Sequence, residues 1–153
     1  MMARLRQLAG ARSGAAAMEM VLITPVVAGM MFVAMDFSGA WLRRLQLEQA
    51  AQRGIEAVAS RRGVSSTYDY ALAEARAAYS GTLTRSALDN WLECNGVRQA
   101  NLSANCGSSQ RARYVSIRLD AEYAPSFGWG GLLSGTTASG GFPIMGDAVV
   151  RVQ

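Results

Sequence analysis

Residues 14–36 read GAAAMEMVLITPVVAGMMFVAMD, and this stretch decides the architecture of the chain. Within it, residues 15–35 form a run of 21 residues in which Glu19 is the only charged side chain. A helix of about 20 apolar residues can span a bilayer. A carboxylate inside such a span costs roughly 3 kcal/mol by insertion scales, so its presence indicates a function. The sequence therefore predicts a transmembrane helix at 15–35 that carries a functional Glu19.

Gly14 precedes Glu19 by five residues and defines a candidate cleavage point. If the chain is cut after Gly14, Ala15 becomes the N-terminus and Glu19 becomes its fifth residue. The new α-amine and the Glu19 carboxylate can then neutralise each other, within one subunit or between neighbouring subunits. Residues 1–14 are basic and lack acidic side chains, so they are predicted to be a leader peptide.

The stretch resembles the N-terminal motif of TadE-like minor pseudopilins, which belong to the tight-adherence (Tad, or Flp) pilus system. That pattern has a small residue at the cut, a Glu five residues on, a Pro after it, and then an acidic-aromatic-small cluster. Here Pro25 follows Glu19 by six residues, and the cluster Asp36-Phe37-Ser38-Gly39 starts 17 residues after Glu19. The C-terminal end of the chain also looks similar. One departure is Met20, where the family usually carries an aromatic residue.

The resemblance implies a structural function without catalysis or a cofactor. A prepilin peptidase would cut between Gly14 and Ala15, and Glu19 would direct assembly with other pilins or pseudopilins and the pilus assembly machinery. The product would initiate or cap a pilus used in surface adherence or secretion. It would cross the bacterial inner membrane once, with a cytoplasmic N-terminus and a periplasmic C-terminal domain.

Three alternatives keep the apolar run but not the cut after Gly14. The first is an uncleaved, membrane-anchored envelope assembly or binding module. The second is a secretory signal peptide cut at Ser38-Gly39-Ala40, although its apolar core would be longer than usual. The third is a plain signal anchor. The last two leave Glu19 unexplained.

Composition excludes several classes of site. All 15 basic residues are Arg, and the chain has no His, which removes the commonest general base and metal ligand. Two cysteines cannot complete a zinc site of four Cys/His ligands, so no metal site is predicted. The net charge of +4 falls to +1 without the three Arg residues that precede Gly14, and no aromatic-interleaved basic stripe indicates nucleic acid as a partner. Neither a catalytic residue nor a cofactor is predicted.

Cys94 and Cys106 are the two cysteines, and both follow the apolar run. Two cysteines beyond a membrane segment are typical of a single disulfide in an oxidising compartment. The alternative is a pair of free, buried thiols. We favour the disulfide.

Beyond the span, the fold class is predicted to be α+β. Residues 36–62 form an amphipathic helical stalk whose apolar stripe comprises Phe37, Trp41, Leu45, Ala51, Ile55 and Val58. Residues 63–153 form a small periplasmic domain. In it, a helix over 68–79, capped by Ser66 or Thr67, precedes a short helix over 86–92. Alternating apolar residues predict strands at 114–123 and 144–152, which pair antiparallel and cover the stalk.

The connection between the two predicted strands is rich in glycine and also apolar. Its apolar members include Phe127, Trp129, Leu132 and Leu133. In the simpler interpretation these side chains close the small core. In the functional interpretation they form a docking loop for the membrane interface or another pilin. No helix is predicted after the glycines, so a phosphate-binding loop is not indicated.

Overall fold

The computed structural model describes residues 13–61, 67–108, 110–127 and 136–153. Two helices and four strands make up the described chain. The helices are α1 (Ser13–Ser60) and α2 (Asp69–Ala78), and the strands are β1 (Leu83–Cys94), β2 (Val97–Arg98), β3 (Arg111–Tyr123) and β4 (Phe142–Arg151). The chain divides into two compact units, Met1–Ser38 and Gly39–Gln153. The predicted α+β class is confirmed.

Helix α1 runs without interruption through the predicted span and stalk, as the sequence indicated. Pro25 lies inside it and cannot donate a backbone hydrogen bond to the preceding turn. Just before it, the Thr24 hydroxyl donates to the Met20 carbonyl oxygen at 2.6 Å. Such local bonds from Ser and Thr help a membrane helix tolerate proline. Helix α1 is long and apolar enough to cross a membrane by length and composition.

Strands β3 and β4 form the predicted antiparallel pair, with Ile117 opposite Ala148. They belong to a larger sheet of four strands in the order β2-β1-β3-β4. Strand β1 also pairs antiparallel with β3, and β2 adds two residues at the end of β1. An isolated hairpin is marginal in water, and the additional strands supply the pairing and packing that it lacks.

The short helix predicted over 86–92 is wrong, because these residues lie inside β1. The Ser-Ala-Leu-Asp sequence at 86–89 favours a helix start locally, but pairing with β3 overrides that preference. Trp91 stacks on Tyr114 of β3 at a centroid distance of 5.4 Å. The Arg98 guanidinium also lies 4.8 Å from the Trp91 ring centroid. These cross-strand contacts stabilise β1 as a strand.

Helix α2 confirms the predicted helix over 68–79 but not its cap. Its N-cap residue is Tyr68, which makes no side-chain capping hydrogen bond, and Asp69 occupies the first turn. Ser66 lies outside the described residues. Tyr68 is instead almost fully buried in the core. Burial of an aromatic side chain stabilises this helix start in place of a hydroxyl cap.

The core of the unit Gly39–Gln153 lies between α1, α2 and one face of the sheet. The alternation predicted for β3 is confirmed, because Val115, Ile117, Leu119 and Ala121 are buried. The buried residues of this core are Leu47, Ala50, Ala51, Val58, Tyr68, Ala71, Ala75, Tyr79, Val115, Ile117, Leu119 and Ala121. The predicted cover of the stalk by the β3–β4 pair is therefore present.

The predicted stripe on α1 is correct only in its second half. Val58 and Ala51 are in the core, and Ile55 packs against it. Trp41 is 51% exposed and Leu45 is 36% exposed, so the first half of the stripe does not face the sheet. The sequence interpretation missed Gly54, where small size decides the contact. A Cβ atom there would lie 2.6 Å from Ile117 Cδ1 and 2.7 Å from the Ala71 carbonyl oxygen.

Candidate assembly site

The predicted cleavage and assembly residues lie on the same helical stretch. Gly14 is in the first turn of α1, and Ala15 and Glu19 follow in the same helix. Residues four apart lie on the same face of a helix, about 6 Å apart along its axis. Helix α1 therefore places the backbone nitrogen of Ala15 within about one turn of Glu19. An amine created at Ala15 and the Glu19 carboxylate would be neighbours.

Glu19 itself is exposed, and it makes no hydrogen bond or ion pair within the described part of the chain. Its neighbours Met18 and Met20 are 69% and 67% exposed, so the carboxylate projects from an apolar surface. A carboxylate in apolar surroundings is stable only when it is paired or protonated. Within the described chain the Glu19 carboxylate therefore lacks a cation partner and could pair with one.

The surface around Glu19 is apolar over the length of the predicted span. The most apolar window of α1 has a mean hydropathy of 2.0, and only 6% of that window is buried. The exposed large side chains include Val21, Leu22, Ile23, Val26, Val27, Met30, Met31, Phe32, Val33 and Met35. A contiguous apolar surface of this kind marks contact with lipid or with other proteins. One membrane-capable helix is therefore present in the described chain.

The two carboxylates of the motif have different environments. Asp36, which the sequence indicated only as the boundary of the span, is 7% exposed, whereas Glu19 is exposed. The sequence did not predict this burial. Asp36 is an acidic residue at the end of an apolar run, and such a position is usually exposed at the end of a span. Of these two carboxylates, only Glu19 is exposed on α1.

Cys94 and Cys106 form a disulfide with a Cα–Cα distance of 5.4 Å. Cys94 ends β1, and Cys106 lies in the segment that leads to β3. The bond closes a loop with a sequence separation of 12, which contains β2. Closing a loop of about this length stabilises a domain by roughly 3 kcal/mol in the chain-entropy model.

The predicted docking loop is described only at its first residue. Phe127 is 37% exposed, whereas Trp129, Leu132 and Leu133 lie outside the described residues. The docking role of this loop therefore stays a prediction.

A carboxylate at the end of β3 holds the last part of that connection. Glu122, at the end of β3, accepts hydrogen bonds from the hydroxyls of Thr137 and Ser139. These hydrogen bonds, led by Ser139 and then Thr137, lower the pKa of the Glu122 carboxyl. The carboxylate therefore fixes the start of β4 against the end of β3. Asp120, two residues earlier, pairs with Arg118 at 2.9 Å, and its side chain is 21% exposed.

Among the described residues, no group of three or more Cys, Asp or Glu side chains could hold a metal ion. Described ion pairs include Arg44–Glu48, Arg98–Asp89 and Arg118–Asp120, and in each the arginine side chain is more than half exposed. Exposed pairs of this kind contribute little to stability and none of them forms a buried catalytic pair.

Comparison with known families gives one match, which covers the site. Residues 14–55 match the family model described as TadE-like protein. The match begins at Gly14 and ends inside α1, so it contains Ala15, Glu19 and Asp36. Comparisons with curated proteins and with solved structures gave no match.

Proposed function

We propose, from the premise that residues 14–55 are a TadE-like segment, that this chain is a minor pseudopilin of a Tad/Flp-type pilus. A prepilin peptidase cuts it between Gly14 and Ala15. The mature chain then assembles through α1 and initiates or caps the pilus, which serves surface adherence or secretion. The TadE-like family is a family of pilus components, and this supports association as the function.

The observation that carries the proposal is the exposed carboxylate of Glu19, one turn after Ala15 on an exposed apolar helix. Cleavage after Gly14 would create an α-amine whose ordinary pKa is about 8. Either charge alone would cost several kcal/mol in lipid, whereas the pair is compensated. A helix with this pair inserts into a bundle of like helices in a defined register. Uncleaved, the same helix would keep an unpaired carboxylate.

The proposed location is the bacterial inner membrane, with the N-terminus in the cytoplasm and the unit Gly39–Gln153 in the periplasm. The disulfide supports a periplasmic location of the unit Gly39–Gln153, because disulfides form and persist in oxidising compartments such as the periplasm. The apolar surface of the span supports the membrane location. Nucleic acid has no role in this proposal.

The proposed partners are other pilins or pseudopilins, the assembly machinery and the prepilin peptidase. Support for helix-mediated contact continues beyond the span. Trp41, Leu42 and Leu45 are 51%, 59% and 36% exposed, and they lie on the part of α1 that the core does not cover. Neighbouring helices in an assembly would bury these side chains. Association would thereby complete the half of the stripe that the sheet leaves open.

The decisive experiment is mass spectrometry of the mature N-terminus in a host with its Tad system. We expect a chain that begins at Ala15. A Gly14→Leu variant should keep residues 1–14 attached, because the proposed cleavage requires a small residue at the cut and leucine is bulky. The matched Gly10→Leu variant should be processed normally.

Two results would contradict the proposal. A mature chain that begins near Trp41 would establish a secretory signal peptide. A wild-type chain that keeps residues 1–14 while its Tad pilus assembles normally would favour an uncleaved, membrane-anchored envelope module.

A further inference from the structure

Two adjoining cavities follow α1 within the unit Gly39–Gln153. The larger has a volume of about 410 Å³ and the smaller about 200 Å³, and both are lined by Tyr79 and Ser80. Arg43 lines the first cavity, and Gln46, Gln49 and Arg53 line the second. We call these two cavities together, between those four helix residues and the segments 79–82 and 122–124, the polar groove. It lies outside the segment that carries the cleavage point and Glu19.

The length of the polar groove follows from helix geometry. Arg43 and Arg53 are ten residues apart in α1, which is about 15 Å along the axis. Gln46 and Gln49 lie between them at spacings of three and six residues, on the same side of the helix. An extended chain advances about 3.3 Å per residue, so the groove matches four to five residues of extended peptide.

The charges along the polar groove are not balanced within the described chain. Arg43 and Arg53 form no ion pair there, whereas the adjacent Arg44 pairs with Glu48 at 3.0 Å. Glu122 also lines the groove, but its carboxylate accepts hydrogen bonds from Thr137 and Ser139. The Glu122 carboxylate adds one negative charge, so the net charge of the groove is +1, with an arginine at each end and donor–acceptor amides between them.

We propose that the polar groove binds an extended acidic segment of a partner protein. Carboxylates four residues apart on the partner would reach Arg43 and Arg53. The amide side chains of Gln46 and Gln49 would bond the partner's backbone between them, since each carries both a donor and an acceptor. This interaction goes beyond the proposed assembly through α1 and requires neither cleavage after Gly14 nor the charge of Glu19.

A membrane surface fits the polar groove less well than a peptide does. Arg53 lies 18 residues beyond Met35, the last residue of the apolar run, which is about 27 Å along the helix. Lipid headgroups at the end of that run could contact Arg43 but not both ends of the groove. Screening in physiological salt limits charge interactions in water to about 8 Å.

The test uses the full chain in non-ionic detergent micelles and a capped peptide with the sequence Glu-Ser-Val-Ser-Glu. Binding is followed by peptide-observed NMR titration. We expect saturable binding, and an increase in Kd on the order of tenfold for Arg43→Gln and for Arg53→Gln, since each removes a charge-assisted contact. The matched control Arg44→Gln should keep the wild-type Kd, because its guanidinium is committed to Glu48.

Two further probes separate geometry from bulk charge. A Glu-Glu-Ser-Val-Ser peptide has the same charge but adjacent carboxylates, and it should bind more weakly than the first peptide. A Gln-Ser-Val-Ser-Gln peptide should not bind. Circular dichroism of each variant checks that the fold is retained.

The proposal is overturned if the acidic peptide does not bind, or if its amide counterpart binds equally well. An equal loss in Arg44→Gln would show non-specific attraction to arginines. Displacement of the peptide by glycerol 1-phosphate at lower concentration than the peptide itself requires would identify a lipid-headgroup site and would also overturn it. None of these outcomes bears on the mature N-terminus, so the pseudopilin proposal is judged separately.

Discussion

At the residue scale, the function depends on a charge placed where the surrounding chemistry opposes it. Glu19 is exposed on a helix surface of methionine and aliphatic side chains, and within the described chain it has no partner. Natural sequences place such a group in an apolar span when it is paired with another charge or takes part in transport. One helix of the described residues is long and apolar enough to cross a membrane. The role that we propose for Glu19 is therefore pairing with an α-amine in the assembly.

We predict that Glu19→Gln retains membrane insertion and cleavage but loses assembly. The amide keeps the size of the side chain and removes the charge, so the amine at Ala15 is left unpaired in lipid. An unpaired charge costs roughly 3 kcal/mol, which corresponds to a loss on the order of 100-fold in pilus formation or in co-purification with partner pilins. Glu19→Asp should be intermediate, because its shorter arm reaches less far. Normal assembly of Glu19→Gln would contradict the pairing argument.

Also at the residue scale, Glu122 makes the stability of the folded chain depend on pH. Its pKa is lowered in the folded chain, chiefly by the hydrogen bond from Ser139, so the folded state favours the ionised carboxylate. The resulting stability is present above the unfolded pKa, near 4.5, and is lost as pH falls through the lowered folded value. We predict that Glu122→Gln loses less Tm than the wild type between pH 7 and about pH 3.5. Asp147→Asn, at an exposed position on β4, is the control and should follow the wild type.

At the element scale, close approach between α1 and the rest of the unit depends on glycine. Gly54 is buried where a Cβ would meet Ile117, Ala71 and Ala75. Gly146 of β4 faces the α1 backbone at Leu47 and Glu48, again without room for a side chain. Backbone atoms at these contacts cannot move aside as a flexible side chain can. A larger residue at Gly54 or Gly146 would therefore clash with its neighbours. These two glycines set the distance between the helix and the sheet.

We predict that Gly54→Val lowers the free energy of unfolding of the unit Gly39–Gln153 by about 1–3 kcal/mol, the usual cost of overpacking a core. Ala59→Val is the matched control, since Ala59 is exposed on the same helix. The control should lose only about 0.5 kcal/mol, from helix propensity. Chemical denaturation followed by circular dichroism measures both. Equal losses would show that propensity, rather than space, decides the cost at Gly54.

The disulfide acts on the elements that it joins, β1 and the approach to β3. We predict that a Cys94→Ser/Cys106→Ser variant loses roughly 3 kcal/mol of stability, because the unfolded chain gains the entropy of an open loop. Its sheet should still form, since β1 and β3 pair from Arg85 to Cys94. Thiol labelling of the denatured, non-reduced wild type should find no free cysteine. Labelling of both cysteines would contradict the bond.

At the scale of the whole molecule, the two compact units differ: one contains the folded core and the other contains most of the exposed apolar surface of α1. The unit Gly39–Gln153 contains the described core, all four strands and the disulfide. The unit Met1–Ser38 contains most of the exposed apolar surface of α1. Each unit therefore has its own physical task, even though α1 is continuous through the boundary.

We predict that a chain beginning at Gly39 folds without residues 1–38 and loses membrane association. Its circular dichroism spectrum should show the sheet and the remaining helix, with one cooperative unfolding transition. Cell fractionation should recover the full chain with membranes and the truncated chain in the soluble fraction. An unfolded truncated chain would show that the anchor is needed for folding, and a folded chain that stays membrane-bound would reveal a second membrane contact.

The sequence by itself determined the features that depend on local pattern. The apolar run and its single carboxylate specify a membrane-capable helix and the candidate assembly residue, because both follow from composition over one continuous segment. Strict alternation specified β3 and its buried face, since period 2 leaves little choice of orientation. The spacing of Glu19, Pro25 and Asp36 was enough to indicate a resemblance to TadE-like proteins, whose family model matches residues 14–55. These features need no distant contact.

Only the tertiary structure decided the features that depend on residues far apart in the chain. Residues 86–92 carry a local helix signal, and only pairing with β3 makes them a strand. The buried face of α1 shifts to Leu47, Ala50 and Gly54, because sheet contact selects small residues rather than the most apolar stripe. The polar groove combines α1 with residues about 30 or more positions later, so no sequence pattern could show it. Long-range packing energies, which local propensity does not contain, determine each of these outcomes.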